Sequence, residues 1–156
     1  MTFDEWCQRW QIPEPAIAEL KRSVHGVPHP AVAAESETAT QQFCRIAAAQ
    51  EGFALWRNNN GAFTDADGRH VRYGVGNDSK KLNKVWKSSD LVGIGPGGRF
   101  MAVEVKHPQW VQPENERDRA QLNMLTQVEA LGGVGQFVTH VNQYRQLIID
   151  MKEGKR

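Results

Sequence analysis

Only two cysteines, Cys7 and Cys44, occur among the 156 residues, and they lie far apart. That spacing excludes a disulfide scaffold or a paired-cysteine zinc motif and predicts two reduced, partly buried thiols. The five histidines are scattered, and the nearest two, His25 and His29, flank a Gly/Pro turn without a cysteine beside them, so no structural zinc is expected. No apolar run approaches the roughly 20 residues that cross a bilayer, and the start MTFDEWCQRW lacks a basic stretch followed by an apolar one. The expectation is a cytoplasmic chain with no membrane partner. Charge of one sign is missing too: 19 Lys and Arg against 18 Asp and Glu leave a net +1, which names no partner when averaged over the chain.

What is present is local. Between Arg69 and Lys87, the cations Arg69, Arg72, Lys80, Lys81, Lys84 and Lys87 are opposed only by Asp78. Such clustering can neutralise phosphates, although a solvated surface segment would have the same composition. The length suits one domain with one core and some peripheral helix.

Thr2 followed by Glu5 has the spacing of a capping box, and Phe3, Trp6, Cys7 and Trp10 recur at helical intervals. Pro13 and Pro15 end that helix, and a second short helical piece carrying Ile17 and Leu20 runs into VHGVPHPAVAA. Residues 1–34 are therefore expected to form a helical appendage and linker, with tryptophans that dock on the main domain or on a second subunit. Residues 35–156 are expected to form the functional domain.

From Ser36 a capped helix is predicted, ended by Gly52, with Glu37, Gln41, Cys44 and Ala48 on one inward face. FALWRN and GRHVRY alternate as strands, with a turn at Asp67 and Gly68. DADG lacks the later acidic ligands of a calcium loop and is read as a hairpin turn. DLVGIG and RFMAVEV form a second hairpin around Pro-Gly-Gly. GIGPGG is not a phosphate loop, because a strand follows it rather than a helix. Leu122, Leu125, Val128 and Leu131 mark an amphipathic helix stopped by Gly132 and Gly133; strand VGQFVT and a helix over Tyr144, Leu147 and Ile148 follow. The order is helix, three or more strands, helix, strand, helix.

Glu104 and Lys106 are two apart on a strand, so their side chains leave one face roughly 7 Å apart at the backbone, with Val103 and Val105 on the other. If the hairpin loop is the three residues Pro96, Gly97 and Gly98, Gly95 pairs with Arg99 and Asp90 stands opposite Glu104. A two- or four-residue loop would turn Asp90 to the other face. Two close carboxylates repel unless a cation lies between them, and hard oxygen donors suit Mg²⁺ or Mn²⁺. Lys106 could then stabilise an attacking hydroxide or a pentacovalent phosphate. An exposed Glu/Lys surface pair beside an ordinary strand-start Asp is the competing reading. Gln121, at the N-terminal end of the later helix, could reach the same site. Arg57, Asn58 and Asn59 in RNNNG offer phosphate- and groove-contacting side chains.

The run SSDLVGIGPGGRFMAVEVKHP resembles the D…(E)xK hairpin of PD-(D/E)xK nucleases. ESETATQ, LWRNNNGAF, GRHVRYG and RAQLNMLTQVEALGGVGQFVT are similar to successive blocks of the VRR-NUC branch, over about Glu35 to Thr139. The resemblance implies an α/β restriction-endonuclease-like core (αβββαβ), a mixed central sheet flanked by helices. It implies Mg²⁺, with Mn²⁺ as a substitute, held by Asp90, Glu104 and the backbone carbonyl of Val105, and Lys106 as the catalytic lysine. Glu37 matches the acidic position of the first helix, which in the family binds a second metal or its water, and Gln121 matches the glutamine after the hairpin. Ser89 stands where the superfamily name carries proline. The basic insertion NDSKKLNKVWK is read as a DNA-contacting loop bearing Lys80, Lys81, Lys84 and Lys87.

The implied function is hydrolysis of DNA phosphodiester bonds, structure-selective (Holliday junctions or flaps) or nicking, in recombination, repair or phage DNA processing. The setting is a bacterial or phage-infected cell, and a two-fold homodimer suits symmetric junctions. Two rivals stay open: a non-catalytic DNA-binding or partner-binding module on the same fold, and an RNA nuclease.

Overall fold

A computed structural model describes residues 3–13, 15–17 and 36–156. The chain divides into two compact units, Met1–Ala34 and Glu35–Arg156. In the first, helix α1 spans Phe3–Arg9, Cys7 is buried and Trp10 is exposed. Thr2 of the expected capping box, Leu20 and the turn around His25 and His29 lie outside the described residues. Cys7 and Cys44 are both buried, and neither takes part in a disulfide among the described residues. Among the described residues no helix is long and apolar enough to cross a membrane.

The second unit is a mixed α/β domain. Helix α2 covers Glu37–Gln50, and Ser36 caps it by accepting a hydrogen bond from the Ala39 N–H. Strands β1 (Ala54–Arg57), β2 (Gly61–Thr64) and β3 (His70–Tyr73) follow, then helix α3 (Lys80–Val85). Strand β4 (Leu91–Ile94), a single 3-10 turn (Pro96–Gly98) and strand β5 (Phe100–Val105) form the second hairpin. Helix α4 (Glu116–Ala130), strand β6 (Val134–Val138) and helix α5 (Val141–Lys152) complete the order. The main sheet runs β1-β4-β5-β6, antiparallel except for β5 and β6, which are parallel.

Three sequence expectations need correction. GAFT, not singled out as a strand, is β2, and it pairs with β3 in a separate two-stranded sheet closed by the DADG turn. The basic segment expected to be a loop contains helix α3, because Ser79 caps it through the Leu82 N–H. Helix α4 does not bury Leu122 or Leu131, which are exposed; its inner face carries Asp118, Gln121, Met124 and Leu125. The pattern of leucines misplaces that face by about one residue because polar groups occupy the buried stripe at its N-terminal end.

Strand β5 is covered on both sides, and every residue from Met101 to Lys106 is buried. Met101, Val103 and Val105 face one cluster with Cys44 and Ala47 of α2 and Tyr144, Leu147 and Ile148 of α5. Ala102 faces the other, with Met124 and Leu125 of α4. Each fully buried aliphatic or aromatic side chain contributes about 1.5–3 kcal/mol by leaving water. By strand alternation Glu104 and Lys106 continue the Ala102 face and lie under the start of α4.

The close seat of α4 depends on Gly135. A Cβ at that position would come within 2.6 Å of the Leu125 carbonyl oxygen and 2.8 Å of its Cα. Backbone gives way poorly to such overlap, so Gly135→Ala should cost about 1–3 kcal/mol of stability. A urea titration checks this, and an unmoved midpoint would contradict the packing of α4 on β6.

Candidate active site

The hairpin adopts the register with the three-residue loop. Leu91 pairs with Val103 and Ile94 with Phe100, and the Gly95 N–H donates to the Arg99 carbonyl at 2.9 Å. One step beyond Leu91, Asp90 stands opposite Glu104. Two reciprocal bonds hold them: the Asp90 N–H donates to Glu104 Oε2 and the Val105 N–H donates to Asp90 Oδ2, each at 3.0 Å. Asp90 is only partly buried and lines a polar cleft of about 540 Å³, whereas Glu104 lies almost wholly inside.

Neighbouring loops fix Asp90 from behind. The Asn58 N–H donates to the Asp90 carbonyl at 2.7 Å, and the Asn58 side chain donates to the Ser89 carbonyl at 2.9 Å while accepting from the Val75 N–H. Ser89 is buried and turns its hydroxyl onto the Leu91 carbonyl at 2.8 Å. Ser88 accepts a hydrogen bond from the Asn60 amide.

Lys106 is buried, and its ammonium donates to Asp118 Oδ1 and to Gln121 Oε1, each at 2.7 Å, with Glu104 Oε1 at 3.4 Å. The Gln121 amide nitrogen in turn donates to Glu104 Oε1. One glutamine therefore bridges the acid and the lysine, and the helical position expected to reach the site does reach it. The other Asp118 oxygen accepts from the Trp110 indole at 3.1 Å and from the Glu114 N–H.

Burial pushes the Asp90 carboxyl above its ordinary range against the opposing Val105 hydrogen bond, and the charge of Glu37 adds to the rise. Burial, and then the charge of Asp90, push Glu104 up to about 8, with Lys106 only partly opposing. Burial alone would raise Asp118 as well, but the bonds from Lys106 and Trp110 outweigh it and hold that carboxyl low. Burial and the Arg117 cation lower Lys87.

Glu37 is exposed on the first turn of α2, near enough to act on Asp90 by its field. Among the described residues no three His, Cys, Asp or Glu side chains gather as a ready metal cage, so Glu37 does not complete a carboxylate trio. The pair itself has the donor chemistry of a hard divalent cation. Asp90 borders the polar cleft with Glu104 buried directly behind it, and Asp90 Oδ1 takes no hydrogen bond among the described residues.

Of the side chains expected to meet DNA, Arg57, Asn58, Asn59 and Lys87 line the cleft, although the Asn58 amide is committed to the loops. Lys80, Lys81 and Lys84 are exposed on α3 and do not line it. Sequence reasoning missed Arg117, which lines the cleft, and Asp118, which holds Lys106. The signal was available for Asp118, three residues before Gln121 and so on the same helical face. Arg57, Lys87 and Arg117 form no ion pair among the described residues, which leaves the cleft cationic around Asp90.

A carboxyl with a folded pKa above its unfolded one stabilises the fold when protonated. That contribution is complete below the unfolded value of 4.5 and is lost as pH rises to about 8 for Glu104, with Asp90 acting in the same direction. In EDTA the melting temperature of the wild type should therefore fall from about pH 5 to about pH 8. Asp90→Asn, which keeps an acceptor for the Val105 N–H, should flatten the fall, and equal slopes for the two proteins would contradict the coupled pair.

Comparisons with protein-family models, with curated proteins and with solved structures find no match to this chain.

Proposed function

We propose that the chain is a Mg²⁺-dependent DNA endonuclease with a restriction-endonuclease-like core, akin to the VRR-NUC branch. The observation that carries this reading is the convergence of Asp90, Glu104 and Lys106 at one end of the β4–β5 hairpin, opening on a cationic cleft. In a structural ion pair, acids and base would balance. Here burial pushes both acids toward neutrality, and the charge of Asp90 adds to the rise of Glu104, which costs stability unless a cation or a reaction makes use of it.

Asp90 and Glu104, with the Val105 carbonyl, would hold Mg²⁺ or Mn²⁺. The bound ion supplies an activated water and offsets charge on the scissile phosphate. Arg57, Lys87 and Arg117 receive phosphates in the cleft, and Asn59 contacts the backbone or groove beside them. As water adds to phosphorus and one P–O ester bond breaks, negative charge grows on the phosphoryl oxygens. The Lys106 ammonium, fixed and buried, stabilises that charge without having to reorganise. Lys80, Lys81 and Lys84 on α3 extend the positive surface along the duplex, and a two-fold dimer would place two such sites on a symmetric junction.

The test is cleavage of a panel of duplex, flap and four-way-junction DNA, with RNA versions as competitors. Wild-type protein with Mg²⁺ should cut, and Asp90→Ala and Glu104→Ala should each lower the rate at least about a hundredfold while circular dichroism is unchanged. Salt-sensitive DNA binding without metal-dependent turnover would replace the enzyme by a binding module. Normal cutting by both variants would remove the assigned site.

A further inference from the structure

The Lys106 ammonium has three N–H donors and three carboxylate or amide neighbours. Two are close, Asp118 Oδ1 and Gln121 Oε1 at 2.7 Å each, and Glu104 Oε1 stands back at 3.4 Å. Two acids therefore compete for one buried ammonium, and Asp118 has the nearer hold.

Asp118 is built to keep that hold. It is buried, and it is anchored on its other oxygen by the Trp110 indole and the Glu114 N–H. The Asn115 side chain also accepts a hydrogen bond from the Asp118 N–H at 2.9 Å, which fixes the backbone at the start of α4. Trp110 in turn packs on Phe137, whose ring lies 5.7 Å from the Lys106 ammonium. An acid that merely balanced charge would not need anchoring on every side.

We infer that Asp118 is a positioning residue which draws the Lys106 ammonium away from Glu104, so that Glu104 stays open to a divalent cation and Lys106 stays aimed at the reacting phosphate. The inference rests on the nuclease reading and adds to it a residue that touches neither metal nor substrate. Without the Asp118 charge, the strongest remaining partner of Lys106 is Glu104 itself. The ammonium then closes onto that carboxylate, competes with the cation and leaves its place. Charge-assisted N–H···O⁻ bonds at about 2.8 Å are the expected resting geometry of such a collapsed pair.

Calorimetric titration with Mn²⁺ alone, together with DNA cleavage kinetics, tests this in wild type, Asp118→Asn, Lys106→Met and the double variant. Asp118→Asn should weaken Mn²⁺ binding about tenfold and lower kcat about 10- to 100-fold, with KM for DNA unchanged. In the Lys106→Met background the same substitution should change neither quantity, because the ammonium it governs is gone. Wild-type Mn²⁺ affinity in Asp118→Asn, or a loss of the same size in both backgrounds, overturns the inference in favour of a structural acid. A crystal structure of Asp118→Asn gives an independent reading: Lys106 Nζ should close on Glu104, and an unmoved ammonium overturns the proposal. If wild-type protein binds no Mn²⁺, the nuclease reading fails, while that crystal structure still decides whether Asp118 holds Lys106 off Glu104.

Discussion

Two carboxyl groups forced together are the constraint around which the domain is arranged. Glu104 is carried on the central strand of the sheet, covered by α4, and faces Asp90 across the β4–β5 ladder. Neither acid can move away, since each is tied to the backbone of the other's strand. A buried carboxylate pair of this kind destabilises a fold at neutral pH. The surrounding core offsets that cost with apolar clusters on both faces of β5.

The polar groups nearby form one connected set. Gln121 donates to Glu104 and accepts from Lys106, Lys106 donates to Asp118, and Asp118 accepts from Trp110. Connected buried networks rigidify a site when every member is satisfied, and an unpaired member is costly in the same low-dielectric surroundings. On the solvent side the network gives way to a cleft lined by Arg57, Lys87 and Arg117, which form no ion pair among the described residues. The site thus has a rigid, fully bonded floor and an electrostatically open mouth, a division that suits a substrate bringing its own negative charge.

The hairpin is legible in the chain because glycine-rich turn chemistry and strand alternation are local rules, but its register hangs on a loop length that the chain leaves open among two, three and four residues. Pro96, Gly97 and Gly98 make a three-residue loop, and counting outward pairs Asp90 with Glu104. The inward face of α2 follows from helical spacing only in part: Cys44 and Ala48 are buried as expected, with Thr40 and Ala47 beside them. Gln41 is half-buried, and Glu37, expected on that face, is exposed because it sits in the first turn at the helix's open end. The inner face of α4 was not legible from its leucines. Its burial is decided by what lies beneath it, and beneath its first turns lie Glu104 and Lys106, which call for Asp118 and Gln121 rather than aliphatic groups. Helix α3 was hidden for another reason: half of its six side chains are lysine, none is buried, and only the Ser79 cap marks where it begins.

The sequence by itself determined which residues could share a face and which strand ends could meet, because periodicity and turn length act over a few residues. Tertiary structure decided how deeply each charge is buried, and therefore which acids repel, which lysine is held and which cations line the cleft. Those outcomes depend on α4 crossing back over β5 and on the loop after β1 reaching Asp90 while the loop after β3 holds Asn58, contacts between residues far apart in the chain. Electrostatic strength is set by the local dielectric and by the distance to the nearest opposite charge, and neither exists until the chain has folded.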